Sequence, residues 1–367
     1  MTDPSRQRRA RRYENNHHAI FVAELVYMVV LLLWLWRSGT SHQLARLSSN
    51  PWLATTVYAT AIVIGMKLAV LPLAWFADYF LEHRYQLSTQ TMRGWLLDEA
   101  KSLALSVLLG VVALNTVYFL LRKLEAGWWL AAGGFFLVFG IGLSVVFPVW
   151  ILPLFYKLAP LQNAGLTARL ATLAQRAGVK LLGVYRIALS EKTRKANAAL
   201  AGLGKTKRII LGDTLLEQFT EDEIEVVMAH ELAHHRHRDL WLMLAWNAAT
   251  IFGGLGATDT VLRRLLPSLG FARISDLAAF PLLALCMLGF GLLVMPLNNA
   301  FSRWRERLAD AAALQLTHNP DAFIRAMRRL ADQNLADPNP PALVEFLLHD
   351  HPALARRIKM AEQWRPH

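Results

Sequence analysis

Cysteine is all but missing from this sequence: Cys286 is the single one among 367 residues. It lies inside an apolar run, which excludes an internal disulfide, a cysteine zinc finger and an iron–sulfur cluster. Charge is scarce too. Lys, Arg, Asp and Glu make up 18% of the chain, against about 25% in an ordinary soluble protein. The acidic sign is the scarcer, 27 residues against 39 basic ones, which leaves a net charge of +12. Such an excess suits nucleic acid, but no glycine–aromatic nucleic-acid motif accompanies it. A membrane protein with a basic cytosolic face gives the same balance, so the expected partner is a lipid bilayer and not a nucleic acid. No internal repeat or low-complexity segment stands out. What is abundant is apolar surface: 54% of residues are hydrophobic and the mean hydropathy is +0.30. Any metal this chain binds must be held by histidine and carboxylate.

Six apolar stretches approach or exceed the roughly 20 residues needed to cross a bilayer. They run Ile20–Trp36, Trp52–Phe76, Ser102–Leu121, Trp128–Trp150, Leu240–Gly256 and Leu277–Leu297. Trp34, Trp36, Trp52, Trp75, Trp95, Trp128, Trp129 and Trp150 fall near their ends, where amphipathic rings settle at the lipid–water boundary. Arg6, Arg8, Arg9, Arg11 and Arg12 precede the first stretch and place the N-terminus in the cytosol by the positive-inside rule. With five more spans following and no small-residue cleavage site after Trp36, the first stretch reads as a retained anchor rather than a signal peptide. Glu24 and Lys67 lie within spans; either lines a polar cavity, or Lys67 snorkels or a span boundary is shifted. The resulting division is an N-terminal transmembrane region 1–152, a cytosolic segment 153–239, two further spans in 240–297 and a C-terminal cytosolic segment 298–367. Both termini are then cytosolic. Short alternating or β-branched runs in Gly178–Ser190 and Ala196–Gly212 predict a small antiparallel sheet or hairpin. The fold class is mainly α: a multi-pass helical bundle or barrel with a helical metal-binding domain and a small sheet.

The chemistry concentrates after Thr220. Thr220 and Glu223 form a capping box, and the apolar stripe Ile224, Val227, Met228 leads into His230-Glu231-Leu232-Ala233-His234. Residues i and i+4 share a helix face, so His230 and His234 can aim ring nitrogens at one zinc ion while Glu231 flanks it as general base. Catalytic zinc takes three protein ligands and keeps a position for water. The third is available in Ser302-Arg303-Trp304-Arg305-Glu306-Arg307-Leu308-Ala309-Asp310, read as a second helix after the sixth span. There Glu306 completes the set, and Asp310, one turn on, is suited to accept the distal N–H of a ligand histidine. The blander reading of both segments is an amphipathic, basic helix leaving the membrane; His235 and His237 belong to that reading.

These residues resemble the integral-membrane zinc metallopeptidases that include the type I CAAX prenyl protease. KRIILGDTLLEQFTEDEIEVVMAHELAHH is similar to that family's strand, short helix and active-site helix, and SRWRERLAD to its SRxxExxAD element. Lys195-Ala196-Asn197-Ala198 is similar to its edge-strand segment, and the run from His351 to Ile358 to its HPxxxxRI element. LEHRYQLSTQTMRGWLLDEAK and FPVWILPLFYKLAPL resemble segments of the prenyl-protease branch. The resemblance implies a helical membrane barrel around a water-filled chamber with zinc at its cytosolic end. It implies further that Asn197 and the backbone around Ala198 bind substrate as an added strand, and that His351 and Arg357 stabilise the tetrahedral oxyanion. The chain departs from the family at Ala233, where glycine is usual, and at Ala199, where an aromatic is common. It also has six spans where eukaryotic members have seven, and no C-terminal retrieval signal is apparent.

The expected function is a membrane-embedded zinc metalloendopeptidase with one Zn2+ per chain, acting on peptide or protein substrates, prenylated or membrane-bound. The Ala-, Leu- and Arg-rich composition suits a bacterial inner membrane; a eukaryotic chain would sit in the endoplasmic reticulum. The alternative is a non-catalytic membrane scaffold with a structural zinc, which would need a fourth protein ligand. A transporter would need repeat symmetry or paired polar residues at span centres, and neither is present.

Overall fold

The computed structural model describes residues 4–202 and 204–365. Among them, six helices are long and apolar enough to cross a membrane: Pro4–Arg37, Pro51–Arg84, Met92–Lys123, Trp128–Phe155, Asp239–Leu269 and Leu277–Thr317. Each predicted apolar stretch lies inside one of them, and the helix continues past it. Local chemistry sets several starts. The side-chain oxygen of Asn50 accepts from the N–H groups of Trp52 and Leu53, with Pro51 in the first turn, and Thr91 caps Gly94 at 3.1 Å. Both are standard ways to satisfy the orphan donors of a helix start. The second and fourth helices carry π segments at Trp75–Leu81 and Phe147–Ile151. Each lies beside a proline, Pro72 or Pro148, which cannot donate in an α-helical ladder.

Val138, Trp150 and Leu293 are each more than 70% exposed; in a membrane helix such residues meet lipid. Trp95 and Trp128 go the other way. Both are buried, so these two do not belong to the interfacial belt that their positions suggested. For Trp128 the reason is a hydrogen bond: its indole donates to Asp259 at 2.6 Å, which satisfies its N–H inside the protein and ties the fourth span to the fifth. Lys67 neither snorkels nor stands alone. It pairs with Glu99 at 2.7 Å, joining the second span to the third.

The sixth span carries the largest correction. Its α-helix runs unbroken over Phe280–Thr317, about 57 Å at 1.5 Å per residue. The segment holding Glu306 and Asp310 is therefore the extramembrane end of the sixth span and not a separate helix. Nothing between Leu297 and Ser302 stops a helix, since neither proline nor a glycine cap intervenes.

The small sheet has four strands: β1 Leu158–Pro160, β2 Gly183–Ile187, β3 Ala198–Ala201 and β4 Arg208–Gly212. Their order is β1-β2-β4-β3. β3 and β4 form the expected antiparallel pair, with Ala198 opposite Leu211, but β2 and β4 are parallel. The sheet is thus mixed, because β4 lies between β2 and β3 and is buried from Ile209 to Gly212. A strand covered on both faces reads as a continuous apolar run, which carries no directional signal. Gly212 is required where it stands: a Cβ there would meet the Asn197 carbonyl at 2.9 Å. Among the described residues, one edge of β3 is left without a strand partner. Beneath the sheet a core of Leu170, Leu173, Leu211, Leu215, Met228 and Phe323 joins the active-site helix to the end of the sixth span.

Candidate metal centre

The helix Glu221–Arg236 opens with the predicted capping box. Thr220 Oγ1 accepts from the Glu223 N–H, and the Glu223 carboxylate accepts from the Thr220 N–H at 2.9 Å. That carboxylate is fully buried, with Arg325 and Arg329 at 3.7 and 3.3 Å. Ile224, Met228 and Leu232 face the core, which turns His230 and His234 toward the end of the sixth span. Their rings lie 4.8 Å apart between centroids, nearly perpendicular. The two helices come close because the residues between them are small. Ala233, Ala309 and Ala312 form a buried cluster of their own. Ala233, the departure from the family's glycine, therefore still serves close helix approach.

Two ring nitrogens and the two oxygens of one carboxylate converge. His230 Nε2 is 3.1 Å from Glu306 Oε2, His234 Nε2 is 3.2 Å from Glu306 Oε1, and the two Nε2 atoms are 3.2 Å apart. With zinc–nitrogen bonds of 2.0–2.1 Å, the edge of a tetrahedral site is about 3.3–3.4 Å, close to the separation of the two nitrogens, and one ligand atom from each of the three residues lies within 4.8 Å of the others. Glu306 Oε2 is buried and faces the ring nitrogens of His230 and His351 at 3.1 and 3.4 Å. Among the described residues, this is the one group of His, Cys, Asp and Glu side chains able to hold a metal ion. Burial works against a charge on His230, but the hydrogen bonds to Asp310 and Glu306 outweigh it and raise the imidazole to about 9. The site is built to hold positive charge.

Behind each histidine stands a carboxylate. Asp310 meets His230 Nδ1 at 2.8 Å and is itself gripped by Arg357, whose Nε and terminal nitrogen donate at 2.8 and 2.6 Å. Asp239 meets His234 Nδ1 at 2.8 Å and is bonded in turn by Arg305. The resemblance put Arg357 on the oxyanion; in the structure its buried guanidinium is committed to Asp310 and touches His230 Nδ1 at 3.4 Å. His351 is the more open group, 54% exposed in its side chain. Its Nε2 is 3.4 Å from Glu306 and its Nδ1 2.8 Å from Asp350, a contact that raises its pKa. Its segment is held by Arg303, which donates to the Glu345 carbonyl at 2.8 Å, and by the Glu345 carboxylate, which accepts from the Ala353 N–H at 3.0 Å. Glu231 is half-buried, and among the described residues no hydrogen bond or ion pair engages its carboxylate.

Asn197 and Ala198 lie apart from this group, at the start of β3. The Asn197 carbonyl accepts from the Gly212 N–H at 2.9 Å, inside the ladder, while its side chain is exposed. With Tyr156, Phe147 and Leu240 they line an apolar cavity of about 560 Å³. Sequence reasoning did not pick out Asp239, Arg305, Arg303 or Glu345. The first is visible only as the fifth residue after His234, on the far side of a helix end; the other three read as ordinary surface charges.

Two family profiles divide the chain between them. The one described as Peptidase family M48 matches residues 160–365, and the one described as CAAX prenyl protease N-terminal, five membrane helices, matches residues 3–157. Among the described residues of that second stretch, four helices are long and apolar enough to cross a membrane. An uncharacterized metalloprotease of Bacillus subtilis, YhfN, is 30% identical over 368 residues, covering 98% of this chain and 86% of that protein. The probable CAAX prenyl protease 1 of Schizosaccharomyces pombe is 28% identical, covering 82% and 64%. The CAAX prenyl protease 1 of Saccharomyces cerevisiae is 28% identical, covering 88% and 76%. The crystal structure of S. mikatae Ste24p has the same fold, with a TM-score of 0.86 at 24% identity over 97% of this chain and 88% of that one.

Proposed function

The chain is a membrane zinc metallopeptidase belonging to family M48 and its CAAX prenyl protease group, and from that premise we propose that His230, His234 and Glu306 hold one zinc ion at which peptide bonds are hydrolysed with Glu231 as the base. The single observation that carries the assignment is that one ligand atom from each of His230, His234 and Glu306 lies within 4.8 Å of the others, the two ring nitrogens 3.2 Å apart. Zinc supplies Lewis acidity at the scissile carbonyl and lowers the pKa of water toward neutrality. Everything else falls to the protein. Glu231, with no competing partner among the described residues, takes the proton of the attacking water and passes it to the leaving amine. His351, open to solvent beside Glu306, donates an N–H to the oxyanion as charge develops. Asp310 holds His230 by its Nδ1–H, which leaves Nε2 free to ligate. Arg357 acts one shell back, keeping Asp310 ionised and in place rather than touching substrate.

Substrate enters as an added strand on the open edge of β3, with Asn197 and the Ala198 backbone as its first contacts. The adjoining apolar cavity suits an aliphatic side chain or a lipid-modified residue. Three ligands rather than four converge among the described residues, which leaves a position for chemistry as catalytic zinc sites do and structural ones do not. The arginines before the first span put both termini in the cytosol, in the inner membrane if the chain is bacterial.

The test is purification in detergent, metal analysis, and cleavage of prenylated and unprenylated forms of one peptide. About one zinc per chain is expected, with activity lost on chelation and restored by added zinc. Glu306→Ala should lower zinc occupancy sharply; unchanged zinc in that variant removes Glu306 from the ligand set. Equal cleavage of both peptides marks a general membrane peptidase, and dependence on the prenyl group marks a CAAX protease.

A further inference from the structure

His230 and His234 are equivalent in the sequence motif, and the fold supports them in the same way from opposite sides. On one side, Asp310 lies on the ligand helix itself, one turn past Glu306. On the other, the partner comes from a different element. The active-site helix ends at Arg236, and Arg238 takes a left-handed conformation with φ of 55°. That bend reverses the chain so abruptly that Asp239, the first residue of the fifth span, points back at His234. Its two oxygens are divided. Oδ2 meets His234 Nδ1 at 2.8 Å, and Oδ1 is bonded by Arg305, the residue immediately before Glu306. Asp239 is 2% exposed and Arg305 5%. The Arg305 guanidinium also lies 4.8 Å over the Trp304 ring, which helps to hold it.

We propose that Asp239 and Arg305 are a positioning pair for the second zinc ligand: Asp239 fixes the tautomer and ring orientation of His234, and Arg305 fixes Asp239. The inference rests on His234 being a ligand, as proposed above. An aspartate in the first turn of a helix is often no more than a favourable charge against the helix dipole, and a buried ion pair is often neutral for stability. Neither explains why the carboxylate oxygen faces the Nδ1 of His234 at hydrogen-bond distance. An Nδ1–H held by a carboxylate leaves the lone pair on Nε2, the atom already aimed at Glu306 and His230, and makes it a stronger donor. The pair also joins three elements at the metal: the active-site helix, the start of the fifth span and the end of the sixth.

Outer-shell partners of this kind typically change metal affinity by about 10–100-fold. The experiment uses the full-length protein in detergent and compares wild type with Asp239→Asn, Arg305→Leu, Arg305→Lys and the double variant Asp239→Asn/Arg305→Leu. Zinc affinity is read by chelator competition, the visible absorption spectrum after cobalt substitution, and the melting temperature of the metal-stripped protein. Asp239→Asn should weaken zinc binding about 10–100-fold and alter the cobalt bands, while the stripped protein melts within a few degrees of wild type. Arg305→Leu should lose a similar factor, the double variant no more than the larger single loss, and Arg305→Lys should recover part of it. Wild-type zinc affinity and an unchanged cobalt spectrum in Asp239→Asn overturn the proposal. So does a fall in affinity matched by a fall in the stability of the stripped protein, which marks a packing role. If wild type itself binds no zinc, or His234→Ala keeps it, the ligand assignment has failed instead.

Discussion

His351 and Arg357 show how far single residues can be assigned from a pattern. Both came from one short motif and were given one task, yet they stand in different surroundings: His351 open beside Glu306, Arg357 buried on Asp310. Their variants should therefore differ in kind. His351→Ala removes a donor to the oxyanion and should lower kcat by about 10²–10³-fold, with zinc content and melting temperature near wild type, as measured by kinetics and metal analysis on one preparation. Loss of zinc in that variant would move His351 into the metal's own support. The ligand set was legible because His230 and His234 are linked by covalent spacing on a helix, and Glu306 and Asp310 by the same period on another. Asp239 was not legible, because its meeting with His234 depends on one left-handed residue, Arg238, and nothing in the local sequence announces that conformation for an arginine.

The approach of two helices decides whether these ligands meet. Ala233 on the active-site helix is fully buried in a cluster with Ala309 and Ala312 on the extended sixth span. Ala233→Leu would force bulk into a contact that small side chains make possible, at a cost of about 1–3 kcal/mol. It would also spread the ligand atoms. The expected result is loss of zinc together with a lower melting temperature. Ala233→Gly should instead keep zinc and lose only the helix propensity of about 1 kcal/mol. Full zinc occupancy in the leucine variant would show that the helices do not set the ligand spacing. At this scale the sequence pattern was readable for helices and poor for the sheet. The capping box at Thr220 announces its helix start. β4 is apolar from Ile209 on and so does not declare its neighbours or their direction, and β1, three residues long, is too short for any alternation to show. The sixth span was cut short for the opposite reason: a change from apolar to charged residues at Ser302 marks the membrane boundary but not the end of the helix.

The whole molecule sets where hydrolysis takes place. With the six crossings proposed above, the chain returns to the side from which it started, and the arginine-rich helical extension before Ile20, the sheet and the segment after Glu306 share one compartment. Reporter fusions at the N-terminus, near Gly204 and at the C-terminus should all report the cytosol, and one near Ser268 the opposite side. The same signal at Ser268 and Gly204 would mean that the fifth or sixth helix does not cross. The central claim, that this fold hydrolyses peptides through a water activated by Glu231, is tested most directly by Glu231→Gln in the purified, zinc-loaded protein. The substitution keeps shape and hydrogen bonding but cannot accept a proton. Peptide cleavage should fall about 10²–10⁴-fold, while zinc content and melting temperature stay at the wild-type values. Cleavage at the wild-type rate by a variant that still carries its zinc would contradict the mechanism.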